Sequence, residues 1–254
     1  MITNIISFSI LIILSILYYF INNYIEITQR GFFCNDLTIK YPYKDQTITE
    51  IHLIIIGIIL PIILISITEI VLKSIRNDSA IQIIKSIINI LLIYFILGFY
   101  ILLITDIIKI NIGRLRPYFI EVCNPEIIIN NNKYTCVTMD KKYINEYQLH
   151  YNCKNNDYTK EARLSFPSKH SSFIAYTMIF TVLYLHNNIN KYIITKSLVQ
   201  FILIIFMIII GVSRVVDYWH HWEDVLCGYI IGIIGAIGAI KISNAKKYID
   251  CDLI

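Results

Sequence analysis

The chain has 254 residues, 56% of them hydrophobic and only 16% charged, with a net charge of +4 and a mean hydropathy of +0.62. That apolar excess lies outside what a soluble domain of this length shows, and it identifies an integral membrane protein. With no soluble basic domain, the composition argues against a nucleic-acid partner.

Six apolar runs follow one another along the chain, over residues 5–21, 51–72, 87–108, 171–186, 198–212 and 225–240. A spanning helix needs roughly 17 to 25 residues, so the shorter runs are expected to extend into the polar motifs that flank them. The first run has no basic n-region and no small-x-small cleavage site, and it reads as an uncleaved span. Pro61 falls within the second run and is expected to kink it, while Glu69 near its inner end reads as a snorkelling or cytoplasmic carboxylate rather than a proton relay. These runs define an all-α, polytopic membrane protein with six transmembrane helices, organised as one domain over residues 1–254.

Basic residues in short loops mark the cytoplasmic side. The segment after the second run carries Lys73, Arg76 and Lys85 against Asp78, and the segment after the fourth carries Lys191 and Lys196. These are placed inside. Residues 22–50 are weakly acidic, and residues 109–170 form a stretch of about 60 residues, long enough to escape the charge rule. Both are placed on the extracellular or luminal side, in the plasma membrane or an endomembrane.

Three polar islands then fall on that one face: residues 109–117, 165–172 and 213–224. In the first, Lys109, Arg114 and Arg116 taken singly read as interfacial cations. Arg116 precedes Pro117, however, which favours an extended backbone and frees its guanidinium to fork onto phosphate oxygens; Arg114 is assigned a supporting role. In the second, Ser168 or Ser171 caps a helix that Pro167 pre-sets. A helix N-terminus is an anion site, and His170 lies in its first turn. In the third, Asp224 stands four residues after His220 and three after His221, so it can orient either imidazole and leave the other ring nitrogen free to attack. A zinc site built from His220, His221 and Asp224 with Asp217 or Glu223 is the rival reading. The cationic neighbours would repel a metal, and no His-Glu-x-x-His pattern occurs. A transporter would carry its ionisable groups at mid-span rather than at the span ends.

Taken together, Lys109 to Arg116-Pro117, Pro167-Ser168-Lys169-His170, and Ser213-Arg214 with His220 and Asp224 resemble the three motifs of the type 2 phosphatidic acid phosphatases, or lipid phosphate phosphatases. Arg30-Gly31-Phe32-Phe33-Cys34-Asn35-Asp36 and Tyr41-Pro42-Tyr43 extend the likeness over nearly the whole chain. The resemblance implies a helical-bundle phosphatase core related to bacterial acid phosphatases and vanadium haloperoxidases, and it selects His220 over His221. It further implies a metal-free reaction without cofactors: His220 as nucleophile, Asp224 as its orienting carboxylate, and His170 as acid and base. Lys109, Arg116, Ser168, Lys169 and Arg214 would bind phosphate. Expected substrates are lipid phosphates, namely phosphatidate, lysophosphatidate, sphingoid phosphates and diacylglycerol pyrophosphate. The sequence leaves a homo-oligomer open.

One departure stands out, since Lys169 occupies the family's glycine position. A side chain there tests whether the backbone needs glycine's freedom, and it keeps a noncatalytic or weakened lipid-phosphate-binding relative as the alternative. Cys34, Cys123, Cys136 and Cys153 lie in the outward segments, where disulfides can form; their pairing is undetermined. The charge distribution predicts that a membrane-impermeant thiol reagent will label a cysteine placed at position 140 in intact cells or sealed vesicles, and one at position 80 only after permeabilisation. The reverse pattern would invert the topology.

Overall fold

A computed structural model describes residues 2–129, 132–139, 143–155 and 159–252; position 140 lies outside them. All six apolar runs are helical. They correspond to α1 (Ile2–Tyr24), a continuous rod made of α2 (Glu50–Ile54), a π-helical segment (Ile55–Ile59) and α3 (Leu60–Ile75), then α4 (Ala80–Ile112), α7 (Lys169–Asn188), α8 (Ile193–Val216) and α9 (Trp222–Asp252). Between α4 and α7 lie two short helices, α5 (Phe119–Cys123) and α6 (Thr159–Ala162).

The rod accommodates Pro61 without a break. Proline has no N–H to offer the carbonyl four residues back, which is that of Gly57, and the buried Tyr94 hydroxyl of α4 donates to that carbonyl at 2.5 Å. Helix α4 starts at a Ser79–Gln82 capping box and ends at Gly113, whose left-handed backbone (φ 57°) turns the chain toward Arg114. A Cβ at Gly113 would also meet the Thr28 carbonyl oxygen at 2.1 Å, so glycine is required there twice over.

Five of the six helices are long and apolar enough to cross a membrane; α7 is the exception. The expectation of six apolar spans is therefore met in five helices, while the remaining run, the fourth, is helical but less apolar than a span requires. Its position explains why. Helix α7 packs against α3, α4, α8 and α9 at once, so its surface faces protein rather than lipid, and its hydroxyls find partners inside the bundle. Tyr176 donates to the Tyr94 carbonyl at 2.7 Å, and Tyr184 to Glu69 at 2.5 Å. This last contact corrects the reading of Glu69. The carboxylate does not snorkel: it is buried and also accepts from Ser86 Oγ at 2.6 Å. Lipid-facing positions, by contrast, are isoleucine-rich, as at Ile12 and Ile16 of α1 and Ile208 and Ile209 of α8.

Helices α7 and α9 approach each other closely. A Cβ at Gly228 would come within 2.6 Å of the Ser168 carbonyl oxygen, and one at Gly232 within 2.3 Å of that of Ser172. Small residues let two backbones meet in this way.

Over one end of the bundle sits a cap with its own core, built from Phe32, Leu115, Tyr118, Phe119, Ile127 and Trp219. It carries short antiparallel ladders that the all-α reading did not foresee: β1 (Phe32–Phe33) pairs with β4 (Tyr147–Gln148), and β2 (Pro125–Ile129) pairs with β3 (Asn132–Tyr134) and β5 (Asn152–Cys153). Disulfides Cys34–Cys136 and Cys123–Cys153 resolve the open pairing. The first joins residues 102 apart in sequence and the second residues 30 apart, so both remove loop entropy from the unfolded chain. Peptide mapping without reduction should recover these two links, and a thiol label applied before reduction should reach none of the four cysteines. Replacing Cys34 and Cys136 with serine should cost about 2–5 kcal/mol, read as a lowered unfolding midpoint in detergent.

Candidate active site

The three polar islands converge beneath the cap at the ends of α4, α7 and α9. Lys109 ends α4, and its Nζ donates to the Leu164 carbonyl at 2.9 Å. Arg116 follows the Gly113 turn, buried at 2% exposure, with its guanidinium carbon 4.8 Å from the Trp219 ring centroid. One of its terminal nitrogens is paired with Glu161 of α6. His170 sits in the first turn of α7, and His220 lies in the turn between α8 and α9.

These groups line one cavity of about 340 Å³, whose wall includes Lys109, Arg116, Lys169, His170 and His220. Asp224, Ser168 and Arg214 lie behind the wall, fully buried. Asp224 accepts from Arg114 at 2.6 Å, from Ser165 Oγ at 2.5 Å and from the His221 backbone at 2.9 Å. Its Oδ2 stands 3.7 Å from His220 Nδ1, an ion-pair distance rather than a hydrogen bond, and 3.3 Å from His221 Nδ1. Of the two imidazoles, His220 is the one on the cavity wall. Burial is the main cause holding the His220 imidazole well below its usual range; Asp224 opposes this, while Arg116 and Lys109 reinforce it. It is therefore neutral near neutral pH, the form in which a ring nitrogen is nucleophilic.

Ser168 caps α7, its Oγ accepting from the Ser171 amide at 3.3 Å, and its own amide donates to the Asp224 carbonyl at 2.9 Å. Lys169 takes the first helical position with no positive φ, so this backbone does not need glycine. Its ammonium turns sideways onto Asp106 Oδ1 at 2.8 Å and the Tyr18 hydroxyl at 3.2 Å. Arg214 donates to Gln46 Oε1 at 2.9 Å and to the Ile48 carbonyl at 2.8 Å, so its fork is committed to the segment leading into α2. The additional acids of the zinc reading are engaged elsewhere. Asp217 accepts from the amide and hydroxyl of Thr47 at 2.7 and 2.8 Å and pairs with Lys44 at 3.0 Å, and Glu223 faces Arg114 at 3.6 Å.

Several contributions go beyond the motif reading. Asn22 from α1, Gln46 from the segment before α2 and Glu50 at its start line the cavity, so the first two spans contribute to the site's wall. Glu161 and Trp219 frame Arg116, and Arg114 is a direct partner of Asp224. Only Arg114 carried a local signal, through its spacing to Arg116; the others are brought in by tertiary packing.

Buried polar atoms are nearly always hydrogen-bonded, which makes the exceptions informative. Among the described residues six such side-chain atoms have no hydrogen-bond partner; four of them, Arg116 Nε and Nη1, His170 Nε2 and His220 Nδ1, belong to side chains on this cavity, and the other two, the Tyr118 hydroxyl and Arg163 Nε, do not. The wall thus combines unspent guanidinium donors, the Lys109 ammonium with hydrogens beyond its one bond to Leu164, and two imidazoles, a set suited to an anion of dispersed oxygen charge.

A PAP2 superfamily domain is matched over residues 88–248. Mouse (Mus musculus) phospholipid phosphatase 1 is 38% identical over 225 residues, covering 82% of this chain and 73% of that one. Human (Homo sapiens) phospholipid phosphatase 2 is 36% identical over 232 residues, covering 86% and 75%. A relative from Drosophila melanogaster is 35% identical over 229 residues, and the match takes in 82% of this chain but only 60% of that relative's length. No solved structure matches the chain. On its motifs, its helical membrane fold and these relatives, the chain belongs to the PAP2 superfamily, among the phospholipid phosphatases.

Proposed function

We propose that this protein hydrolyses lipid phosphate monoesters at a membrane surface through a phosphohistidine intermediate, with no metal in the reaction. The observation that carries the reading is the clustering of unpartnered buried donors and two imidazoles on one cavity. Lys109 and Arg116 would hold the equatorial phosphate oxygens, with the amide end of α7 at Ser168 and Lys169. In the first step His220 bonds to phosphorus, the ester P–O bond breaks, and His170 gives its proton to the departing oxygen. In the second, His170 takes a proton from the attacking water, the P–N bond breaks, and phosphate leaves. Asp224 fixes the imidazole through charge, and Arg214 holds Gln46 at the cavity edge.

The substrate class follows from the setting: a cavity at the ends of apolar helices suits phosphatidate, lysophosphatidate, sphingoid phosphates or diacylglycerol pyrophosphate. Loop charge places the site on the extracellular or luminal face. The alternative of a noncatalytic binding relative rested on Lys169, and the helical backbone there removes its main support.

Phosphate release from micellar phosphatidate by the purified protein should persist in excess chelator, disappear in His220→Ala, and fall on the order of a hundredfold or more in His170→Ala. Loss on chelation with recovery on adding zinc or magnesium would sink the metal-free mechanism. Lys169→Gly leaves Asp106 without its cation beside the phosphate, so it should weaken substrate binding. Adding Asp106→Asn should bring turnover back to within about tenfold of the parent, or roughly 1.4 kcal/mol of barrier. If Lys169→Gly alone instead raises a nearly inert parent to high activity, the natural chain is a weakened relative.

A further inference from the structure

The two-step reaction imposes a condition on His170. It gives up a proton in the first step and regains one in the second, so the resting protein must hold His170 protonated. Its surroundings oppose this. Burial acts most strongly against it, and Arg214 of α8, His220 in the turn before α9, Lys109 of α4 and Arg116 of the cap add to the effect, because desolvation and like charge both disfavour an imidazolium. The acid that touches the ring is Glu50, in the first turn of α2, whose Oε1 lies 3.3 Å from His170 Nε2.

The contact has a second property. His170 is 9% exposed, and its Nε2 makes no hydrogen bond despite the carboxylate at ion-pair distance. The charge is present, yet the N–H is not spent on it. A proton on Nε2 is thereby stabilised and still available to a leaving oxygen. Glu50 lines the same cavity and its side chain is 69% exposed, so it can stand beside a bound lipid phosphate.

We propose that Glu50 is a positioning residue for the reaction: its carboxylate supplies the counter-charge that keeps the proton on His170 Nε2 until the departing lipid alkoxide takes it. When the P–O bond breaks, that proton moves to the alkoxide oxygen, His170 becomes neutral, and Glu50 keeps its own charge throughout. The role rests on the phosphohistidine reading, in which His170 is the proton donor.

The test is the pH profile of kcat/KM for the full-length protein in detergent micelles, on phosphatidate and on p-nitrophenyl phosphate. Phosphatidate leaves as a strongly basic alkoxide that needs the proton, while p-nitrophenolate does not. Glu50→Gln should move the alkaline limb for phosphatidate down by about one pH unit, giving about a tenfold loss above the limb and parental activity below it. With p-nitrophenyl phosphate the profile should be unchanged. Glu50→Asp should retain the parental limb, and raised salt should narrow the difference between parent and Glu50→Gln, because the carboxylate is exposed. Glu126→Gln, which removes a cap carboxylate paired with Lys133 and Lys154, serves as the neutral control. An equal loss at every pH, an equal loss on both substrates, or no change at all would overturn the proposal. His170→Ala separates the two levels. If it impairs phosphatidate far more than the aryl ester while Glu50→Gln leaves the limb in place, only the role of Glu50 falls; if it impairs both equally, the assignment of His170 as proton donor falls with it.

Discussion

The site depends on one buried carboxylate. Asp224 receives Arg114 from the turn after α4, Ser165 from the approach to α7, and the backbone of His221 from its own turn. Its main-chain carbonyl takes the amide of Ser168. Three segments far apart in sequence are thus gathered on one residue, and each brings a cavity-lining group with it: Arg116, His170 and His220. A carboxylate without these donors would carry a desolvation cost of several kcal/mol. With them satisfied, the same charge fixes the relative positions of the cationic wall and the two imidazoles.

Polar chemistry inside a bilayer-spanning bundle requires that each polar group find its partner within the protein. Helix α7 shows how this is arranged. It is enclosed by four other helices, so its tyrosines and threonines bond to main-chain carbonyls or to Glu69 and never need to meet lipid. The Tyr94 hydroxyl performs the same service for the carbonyl that Pro61 leaves without a donor. The Lys169–Asp106 pair, held by Tyr18 and Asn22, extends the scheme to the cavity edge and ties α1 to α7.

What the sequence revealed and what it concealed divide along physical lines. Helices announce themselves through long apolar runs, and the three islands through residue types whose chemistry is recognisable at fixed spacing; the placing of Lys109, Arg116, His170 and His220 on one cavity follows from both. Asp106, Glu50 and Gln46 could not be read in this way, because their meaning comes from tertiary neighbours about 60 to 170 residues distant. Glu69 was misjudged since its two hydroxyl partners sit on other helices. The cap ladders, at two to five residues per strand, are too short to leave a periodic signature. Ser168 and Arg214 lie in the site but face away from the cavity, a distinction that motif spacing does not encode.

The contact of α7 with α9 through Gly228 and Gly232 sets the separation of the two imidazole-bearing segments by main chain against main chain. A ruler of that kind has no side-chain component to drift. The lipid-facing surfaces can therefore exchange isoleucine for leucine or valine freely, as a shift in genome base composition would demand, without retuning the distance between His170 and His220. Sequence change in this protein is cheap on the outside of the bundle and costly along a single glycine seam.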